Sequence, residues 1–296
     1  MNPYRFFYVC YNTKLVDNSL ERNVVSKLNN SLLAILNNSL LAIIITSLLL
    51  SGCSGGIAAT ATGTATGDHD TGLTPKSEIP DDFIPRELRI ASIGDSLTKG
   101  VGDETNQGGY TSLLEEKLLN EKDVKSVTLE NFGVKGHKTT DLLNRLQNEE
   151  VQEGIADADI IIITIGGNDI MKIVKENLFD LSLYVFEKEQ AKYEVRLQKV
   201  LENIRSHNSE AEIVLVGLYN PFGWFIDLST EINTIVDNWN EGSERVLSTF
   251  DHTKFVVVDD VFSQTSDNLL SEDEFHPNAK GYKIISERIF EAIINE

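Results

Sequence analysis

Continuous runs of β-branched residues alternate with amphipathic stretches through the C-terminal two thirds of the chain. Ile160–Ile163 and Val256–Val258 are apolar at every position, which is typical of strands buried on both faces of a parallel sheet. The pattern predicts five strands, Leu88–Ile93, Val127–Asn131, Asp159–Ile165, Glu212–Leu218 and Phe255–Asp259. It predicts five helices, Tyr110–Asn120, Thr139–Gln147, Phe186–His207, Thr230–Phe250 and Asn278–Ile294. Strands that alternate with helices need crossover connections, so we expect an α/β three-layer sandwich around a five-stranded parallel sheet.

The N-terminal region predicts a secretion leader and a lipid attachment site. Ser39–Leu50 is uncharged and has the length of a signal-peptide core, shorter than the roughly 20 apolar residues of a membrane span. Leu50–Cys53 resembles a bacterial lipobox, in which the leader is cut before the cysteine and its thiol is acylated. We therefore expect a signal peptide over 1–52, a lipid on Cys53 and an outward-facing position at the cell membrane. An uncleaved signal anchor, or a buried helix with an incidental cysteine, is the alternative.

Residues 54–80 are rich in Gly, Ala, Thr and Ser and contain almost no large apolar side chains. Such a segment buries too little surface to offset its chain entropy, so it predicts a flexible tether over 53–85. The folded domain is then expected over 86–296.

Charge and motif content exclude several classes of partner. The net charge of −20 disfavours phosphate backbones, so we expect no nucleic-acid partner. An acidic surface also has a plain explanation, because it keeps a domain soluble. The sequence shows neither a metal-ligand cluster nor a phosphate-binding glycine loop, and it predicts no metal and no cofactor. The oligomeric state is left open.

Ser96 follows an apolar strand directly, in the turn Gly94-Asp95-Ser96. The strand end places its hydroxyl at the carboxyl edge of the sheet, where open α/β sheets bind ligands. A serine needs a base to become nucleophilic, and that base needs an orienting group. His276 lies in a loop before the last helix, and Asp273 precedes it by three residues. Their order predicts a Ser–His–Asp triad, whereas an ordinary turn serine and a surface Asp–His pair are the alternatives.

Two further segments follow strands and offer hydrogen-bond donors to an oxyanion. Asn131–Gly136 contains two glycines, Gly133 and Gly136, either of which lets a backbone N–H approach a ligand. Gly166–Asp169 contains Asn168, whose side-chain amide is a second donor. As an alternative, the Gly-Gly-Asn-Asp segment caps a helix.

Together these blocks resemble the SGNH (GDSL) hydrolases, in the order found in that family. The matching residues are Gly94-Asp95-Ser96-Leu97, Gly136, Gly167-Asn168-Asp169 and Asp273-x-x-His276. The resemblance covers residues 88–296 and, with the lipobox, is closest to lysophospholipase-like or esterase-like bacterial lipoproteins of the family.

The resemblance implies a flavodoxin-like sheet and a carboxylic ester hydrolase that works through an acyl-enzyme without a cofactor. It implies that Ser96 is the nucleophile, His276 the base and Asp273 the group that orients it. The implied oxyanion donors are the N–H groups of Ser96 and Gly136 and the side chain of Asn168.

The substrate stays open, with a lysophospholipid, a short acyl ester and an acetylated polysaccharide as candidates. Phe179–Glu189 has no place in the strand pattern and is expected to form a lid or a substrate-facing insertion. Phe222, Trp224 and Phe225 predict core packing or a wall for an acyl chain or sugar. A non-catalytic ligand-binding lipoprotein and an acyltransferase are the rival functions.

Overall fold

The computed structural model describes residues 84–177, 182–221, 229–264 and 268–295. Five strands form one sheet: β1 (Arg86–Gly94), β2 (Val124–Gly133), β3 (Ile160–Thr164), β4 (Glu212–Val216) and β5 (Thr253–Val256). All neighbouring pairs are parallel, in the order β2-β1-β3-β4-β5. This is the strand order of flavodoxin-like doubly wound sheets, so the expected fold class is confirmed.

The helices lie in two layers, one on each face of the sheet. In chain order they are α1 (Ser96–Lys99), α2 (Tyr110–Leu119), α3 (Thr139–Arg145), α4 (Glu149–Ala156), α5 (Gly167–Glu176), α6 (Leu183–His207), α7 (Ser229–Leu247), α8 (Asp259–Gln264) and α9 (Ala279–Ile294). One core cluster joins the sheet to α3 through α7, and a second joins it to α2 and α9.

Strand β3, in the middle of the sheet, shows why the apolar run Ile160–Ile163 is uninterrupted. Ile161 and Ile163 belong to the core cluster on one face, whereas Ile160 and Ile162 belong to the cluster on the other. Both layers therefore pack on a strand that is buried along its whole length.

Four helices escaped the sequence prediction, namely α1, α4, α5 and α8. Helix α4 is short and contains Gly154, a poor helix former. A side chain at Gly154 would lie 2.6 Å from the ring of Phe132, so close packing against β2 explains the glycine. Helix α5 begins inside the Gly-Gly-Asn-Asp segment, which the sequence analysis expected to supply an oxyanion donor or to cap a helix.

The prediction of a strand over Phe255–Asp259 was wrong in its boundaries. The ladder with β4 ends at Val256, which pairs with Val216, and Asp259 already begins α8. Val258 is fully buried although it lies beyond the strand. Its apolar character reflects core packing and not strand pairing.

The expected lid or substrate-facing insertion over Phe179–Glu189 is described only in its second part. Leu183–Glu189 forms the first turns of α6, which therefore starts earlier than the expected Phe186. Phe186 is buried and packs in the core cluster that faces α7.

Several predictions fall on residues outside the described ranges. They are the signal peptide over 1–52, lipidation of Cys53, most of the tether, residues 179–181, and the aromatic run Phe222, Trp224 and Phe225. Each stays a prediction. Within the described residues, no helix combines the length and the apolar character needed to cross a bilayer.

Candidate active site

Ser96 sits where β1 passes into α1, at the carboxyl edge of the sheet. Gly94 has φ +142°, and a Cβ there would collide with the backbone carbonyl of Thr164, so only glycine lets β1 end this close to β3. The Asp95 side chain then caps α1 by accepting a hydrogen bond from the N–H of Leu97, at 3.0 Å. As the first residue of α1, Ser96 has an N–H group without an intrahelical acceptor.

The three side chains of the expected triad meet in hydrogen-bonding contact. The distance from His276 Nε2 to Ser96 Oγ is 2.9 Å, and that from His276 Nδ1 to Asp273 Oδ2 is 2.5 Å. Ser96 and His276 are only 2% and 3% exposed. With Nδ1–H held by the carboxylate, Nε2 is free to accept the serine proton.

The two oxygens of Asp273 have separate tasks. Oδ1 accepts hydrogen bonds from the Ser271 hydroxyl and from the backbone N–H groups of Phe275 and His276, at 2.9, 3.1 and 2.9 Å. Oδ2 is left for the imidazole. Burial alone would raise the pKa of Asp273, but the hydrogen bonds from the His276 ring and backbone and from Ser271 hold it well below its usual value. The carboxylate is therefore charged throughout the range in which the imidazole works.

The loop that carries His276 is held by contacts that sequence reasoning missed. The Tyr219 hydroxyl, at the end of β4, donates a 2.7 Å hydrogen bond to the carbonyl of Phe275. The Phe275 ring packs edge-on against the imidazole, with ring centroids 5.0 Å apart. Glu274 adopts a left-handed conformation with φ +57°, which is strained for a residue other than glycine. The loop conformation is thus imposed by its surroundings.

Of the two candidate glycines after β2, the structure favours Gly136. The N–H of Gly133 is occupied by a 3.0 Å hydrogen bond to the side chain of Asn131. Gly136 lies in a turn with φ +85°, the space that a Cβ would occupy there is open, and no hydrogen bond among the described residues uses its N–H. Its N–H is thus available to an oxyanion.

Asn168 does not cap α5. Its side-chain nitrogen donates a 3.0 Å hydrogen bond to the carbonyl of His137, which follows Gly136 directly. An amide carries two N–H groups, so one orients the side chain and the other can face a ligand. The neighbouring Asp169 accepts hydrogen bonds from the N–H and the hydroxyl of Thr139, the first residue of α3, and not from the N–H groups of α5. Neither Asn168 nor Asp169 therefore caps α5, whereas Asp169 does bind the first N–H group of α3.

Asp95 is a buried carboxyl group directly beneath the nucleophile turn. It is 4% exposed and also accepts a 2.9 Å hydrogen bond from the Thr164 hydroxyl. Burial raises the pKa of Asp95 to about 6, and the hydrogen bonds from Leu97 and Thr164 offset only part of that rise.

This raised pKa predicts that stability falls as pH rises from about 4 to 7. The folded state keeps the Asp95 proton up to about pH 6, whereas an unfolded aspartate loses it near 3.8. The folded state therefore binds more protons in this window, and the free energy of unfolding decreases by up to about 3 kcal/mol across it. Urea unfolding of wild type and Asp95→Asn at pH 4 to 7 measures the effect, because the amide keeps an acceptor oxygen. We expect the unfolding free energy of the wild type to decrease relative to that of the variant as the pH rises.

Asp157→Asn is the control for this comparison, since the Asp157 side chain is 71% exposed. Its difference from the wild type should change little over the same range. A constant difference for Asp95→Asn would contradict the buried-carboxyl interpretation.

An apolar cavity of about 80 Å³ opens beside Ser96 and Asn168. Its walls come from the ends of β3 and β4 and from helices α5, α6 and α7. The apolar side chains that line it include Ile165, Ile170, Met171, Val174, Phe186, Leu218, Ile232, Ile235, Val236 and Phe275. The site thus places the hydroxyl of Ser96 beside a pocket suited to a hydrocarbon chain.

Comparison with known proteins agrees with this geometry. The sequence matches the GDSL-like Lipase/Acylhydrolase family over residues 92–284. The uncharacterized protein YpmR of Bacillus subtilis is 42% identical over 209 residues, which cover 70% of this chain and 82% of that protein. The spore germination lipase LipC of Bacillus licheniformis is 30% identical over 210 residues, which cover 68% of this chain and 94% of the lipase.

A solved structure shows the same architecture. The lipase Lip_vut3 from a goat rumen metagenome superposes with a TM-score of 0.62 at 27% identity, covering 69% of this chain and 97% of the lipase. The family match includes all four sequence blocks and stops within the last helix. The fold of the goat rumen lipase agrees with that of this chain along nearly the whole domain. The chain therefore belongs to the GDSL-like lipase/acylhydrolase family, whose members are carboxylic ester hydrolases.

Proposed function

We propose that this ester hydrolase uses Ser96, His276 and Asp273 as its catalytic triad and accepts esters whose acyl chain enters the apolar cavity. The observation that carries the proposal is that the apolar cavity opens directly beside the triad serine. The nucleophile and the donor Asn168 line the same cavity as the apolar side chains named above. A substrate carbonyl at Ser96 thus places its hydrocarbon part against apolar walls.

The chemistry follows from the hydrogen bonds in the site. Ser96 Oγ attacks the ester carbonyl while His276 Nε2 takes the hydroxyl proton, and Asp273 stabilises the imidazolium that forms. The N–H groups of Ser96 and Gly136 and the amide of Asn168 stabilise the negative charge on the carbonyl oxygen. His276 then protonates the departing alcohol. Water repeats the cycle on the acyl-enzyme and releases the carboxylic acid.

The cavity favours an acyl chain of several carbons over an acetyl group. Each methylene transferred from water to an apolar wall contributes about 0.8 kcal/mol, which corresponds to about fourfold in kcat/KM. An acetyl group would leave most of the apolar surface unfilled. The lipid-ester candidates, including a lysophospholipid, thus agree better with the cavity than an acetylated polysaccharide does.

Narrowing the cavity should shift the preference towards short chains. We expect kcat/KM of the wild type for p-nitrophenyl esters to rise about fourfold per methylene from acetate until the chain fills the cavity. Val174→Phe fills part of the cavity and should lower kcat/KM for octanoate at least tenfold while acetate changes less than threefold. Purified variants assayed with a series of acyl lengths measure this.

Val195→Phe is the matched control, because it makes the same change in size at a residue of α6 that is 54% exposed and does not line the cavity. It should leave the chain-length profile of the wild type unchanged. A wild type that hydrolyses acetate faster than every longer ester would exclude the acyl-chain assignment and favour acetylated substrates, without touching the triad.

We also propose that Cys53 anchors this enzyme at a membrane, on the strength of the lipobox resemblance of Leu50–Cys53. Two or more acyl chains would hold the domain stably near lipid esters. In bacteria that express the full chain, Cys53→Ala should move the protein from the membrane fraction to the soluble fraction. An unchanged membrane fraction together with no incorporation of labelled palmitate would rule the anchor out.

A further inference from the structure

A closed ring of hydrogen bonds lies next to the oxyanion donors, among residues that take no part in the triad. Asp169 is 6% exposed and accepts hydrogen bonds from the Thr139 N–H, the Thr139 hydroxyl and Arg196 Nη2, at 2.9, 2.7 and 3.0 Å. Arg196 Nε donates in turn to the Thr139 hydroxyl, at 2.7 Å. The Arg196 guanidinium therefore donates to both Thr139 and Asp169, which are themselves hydrogen-bonded to each other.

The ring joins the two segments that carry the oxyanion donors. Thr139 begins α3, three residues after Gly136, and Asp169 follows Asn168 directly. A second link between the same segments is the hydrogen bond from the Asn168 amide to the carbonyl of His137. Arg196, from the middle of α6, is the only contributor to the ring from outside these two segments. It adds one hydrogen bond to each of the two segments, beside the bonds that they make directly with each other.

Stability alone is a weak explanation for this arrangement. Desolvation of a largely buried ion pair offsets much of its attraction, so such pairs contribute little to folding. An arginine fork that donates to two acceptors does fix orientation, because its N–H groups diverge in one rigid plane. Oxyanion donors depend on such fixed placement, and a displacement of about 1 Å can cost about 10²-fold in rate.

We propose that Arg196 is a positioning residue for the oxyanion hole. Through Asp169 and Thr139 it holds the Gly136 N–H and the Asn168 amide at the separation that a tetrahedral intermediate requires. This inference rests on the proposed function, since it assigns Arg196 to the same reaction.

Arg196→Lys tests the proposal, because lysine keeps the charge and loses the planar fork. We expect kcat for p-nitrophenyl butyrate to fall about 10- to 100-fold while KM stays within twofold. Arg245→Lys is the matched control. Arg245 Nη2 lies 2.9 Å from Glu194 Oε1, and Glu194 precedes Arg196 by two residues on α6. This ion pair contacts neither of the two segments that carry the oxyanion donors. Its kcat should stay within twofold of the wild type.

Three readouts separate positioning from a general loss of structure. Active sites titrated with a fluorophosphonate give kcat per reactive serine, which a partly unfolded sample does not change. An alkyl boronic acid forms a tetrahedral adduct with the serine, and its inhibition constant should weaken in proportion to kcat/KM. Guanidinium ion at millimolar concentration should restore part of the activity to Arg196→Gly and none to Arg245→Gly.

Should Arg196→Lys not fold, Thr139→Val and Thr139→Ser give the same answer. The valine variant loses the hydroxyl link and should lose kcat, whereas the serine variant keeps it and should retain wild-type kcat. A kcat per reactive serine within twofold of the wild type in Arg196→Lys, or in Thr139→Val if that variant is used instead, would overturn the inference and leave the proposed function intact. A wild type that neither hydrolyses esters nor reacts with the fluorophosphonate would overturn both.

Discussion

The Ser96→Ala variant is expected to hydrolyse p-nitrophenyl esters at least about 10⁴ times more slowly than the wild type, with KM nearly unchanged. The substitution removes the only atom that forms the covalent bond, and a 2.9 Å hydrogen bond to His276 is lost with it. The acyl cavity and the other oxyanion donors remain. Steady-state kinetics on purified protein, with circular dichroism to establish the fold, measures the loss.

The hydroxyl of Ser206 supplies the matched control. It lies on the surface near the end of α6, donates a hydrogen bond to the carbonyl of Asn203 and does not line the cavity. Ser206→Ala should keep full activity and full reaction with a fluorophosphonate, whereas Ser96→Ala should keep neither. A purely ligand-binding protein on this scaffold would show no reaction even in the wild type. Comparable hydrolysis by Ser96→Ala and wild type would end the triad assignment.

Asp273→Asn is expected to lower kcat by about 10⁴-fold as well, for a reason specific to this loop. Three donors, from Ser271, Phe275 and His276, converge on Oδ1, so the oxygen of the asparagine amide must take that place. The amide nitrogen then faces His276 Nδ1. Nδ1 is forced to accept, the imidazole proton moves to Nε2, and Nε2 can no longer take the proton of Ser96.

Asp273→Asn should therefore bind substrate normally and fail in catalysis, with kcat reduced and KM within about threefold. Asp260→Asn is a suitable control, since Asp260 forms a half-buried ion pair with Arg288, 2.6 Å away, and lies outside the triad. Activity of Asp273→Asn within tenfold of the wild type would show that the carboxylate does not select the imidazole tautomer.

The parts of the fold that the sequence predicted well are those that depend on local periodicity. Ile160–Ile163 could be assigned to a central strand because both of its faces are buried. Val258 misled the same argument, because a fully buried side chain in a connecting segment looks like a strand residue. Helix α5 was missed since its N-cap residue is Gly166, which makes no side-chain capping hydrogen bond and so leaves no usual start signal in the sequence.

The triad could be predicted because each member lies in a short segment with a recognisable spacing. Ser96 ends a strand, and Asp273 and His276 share one turn of chain. Arg196 and Tyr219 gave no such signal. An arginine in an amphipathic helix resembles any solvated charge, and only the tertiary contacts with Asp169 and Phe275 distinguish these two residues.

The contact between Ser96 and His276 joins positions 180 residues apart, from the end of the first strand to the turn before the last helix. That turn is closed by the bridge between Leu270 and Pro277 and by the 2.8 Å hydrogen bond from Ser271 N–H to the carbonyl of His276. During synthesis the N-terminal part of a chain emerges and folds first. A nascent chain with its central β-sheet already paired would hold the serine but lack its proton acceptor, so it would stay catalytically silent until the final segment docks.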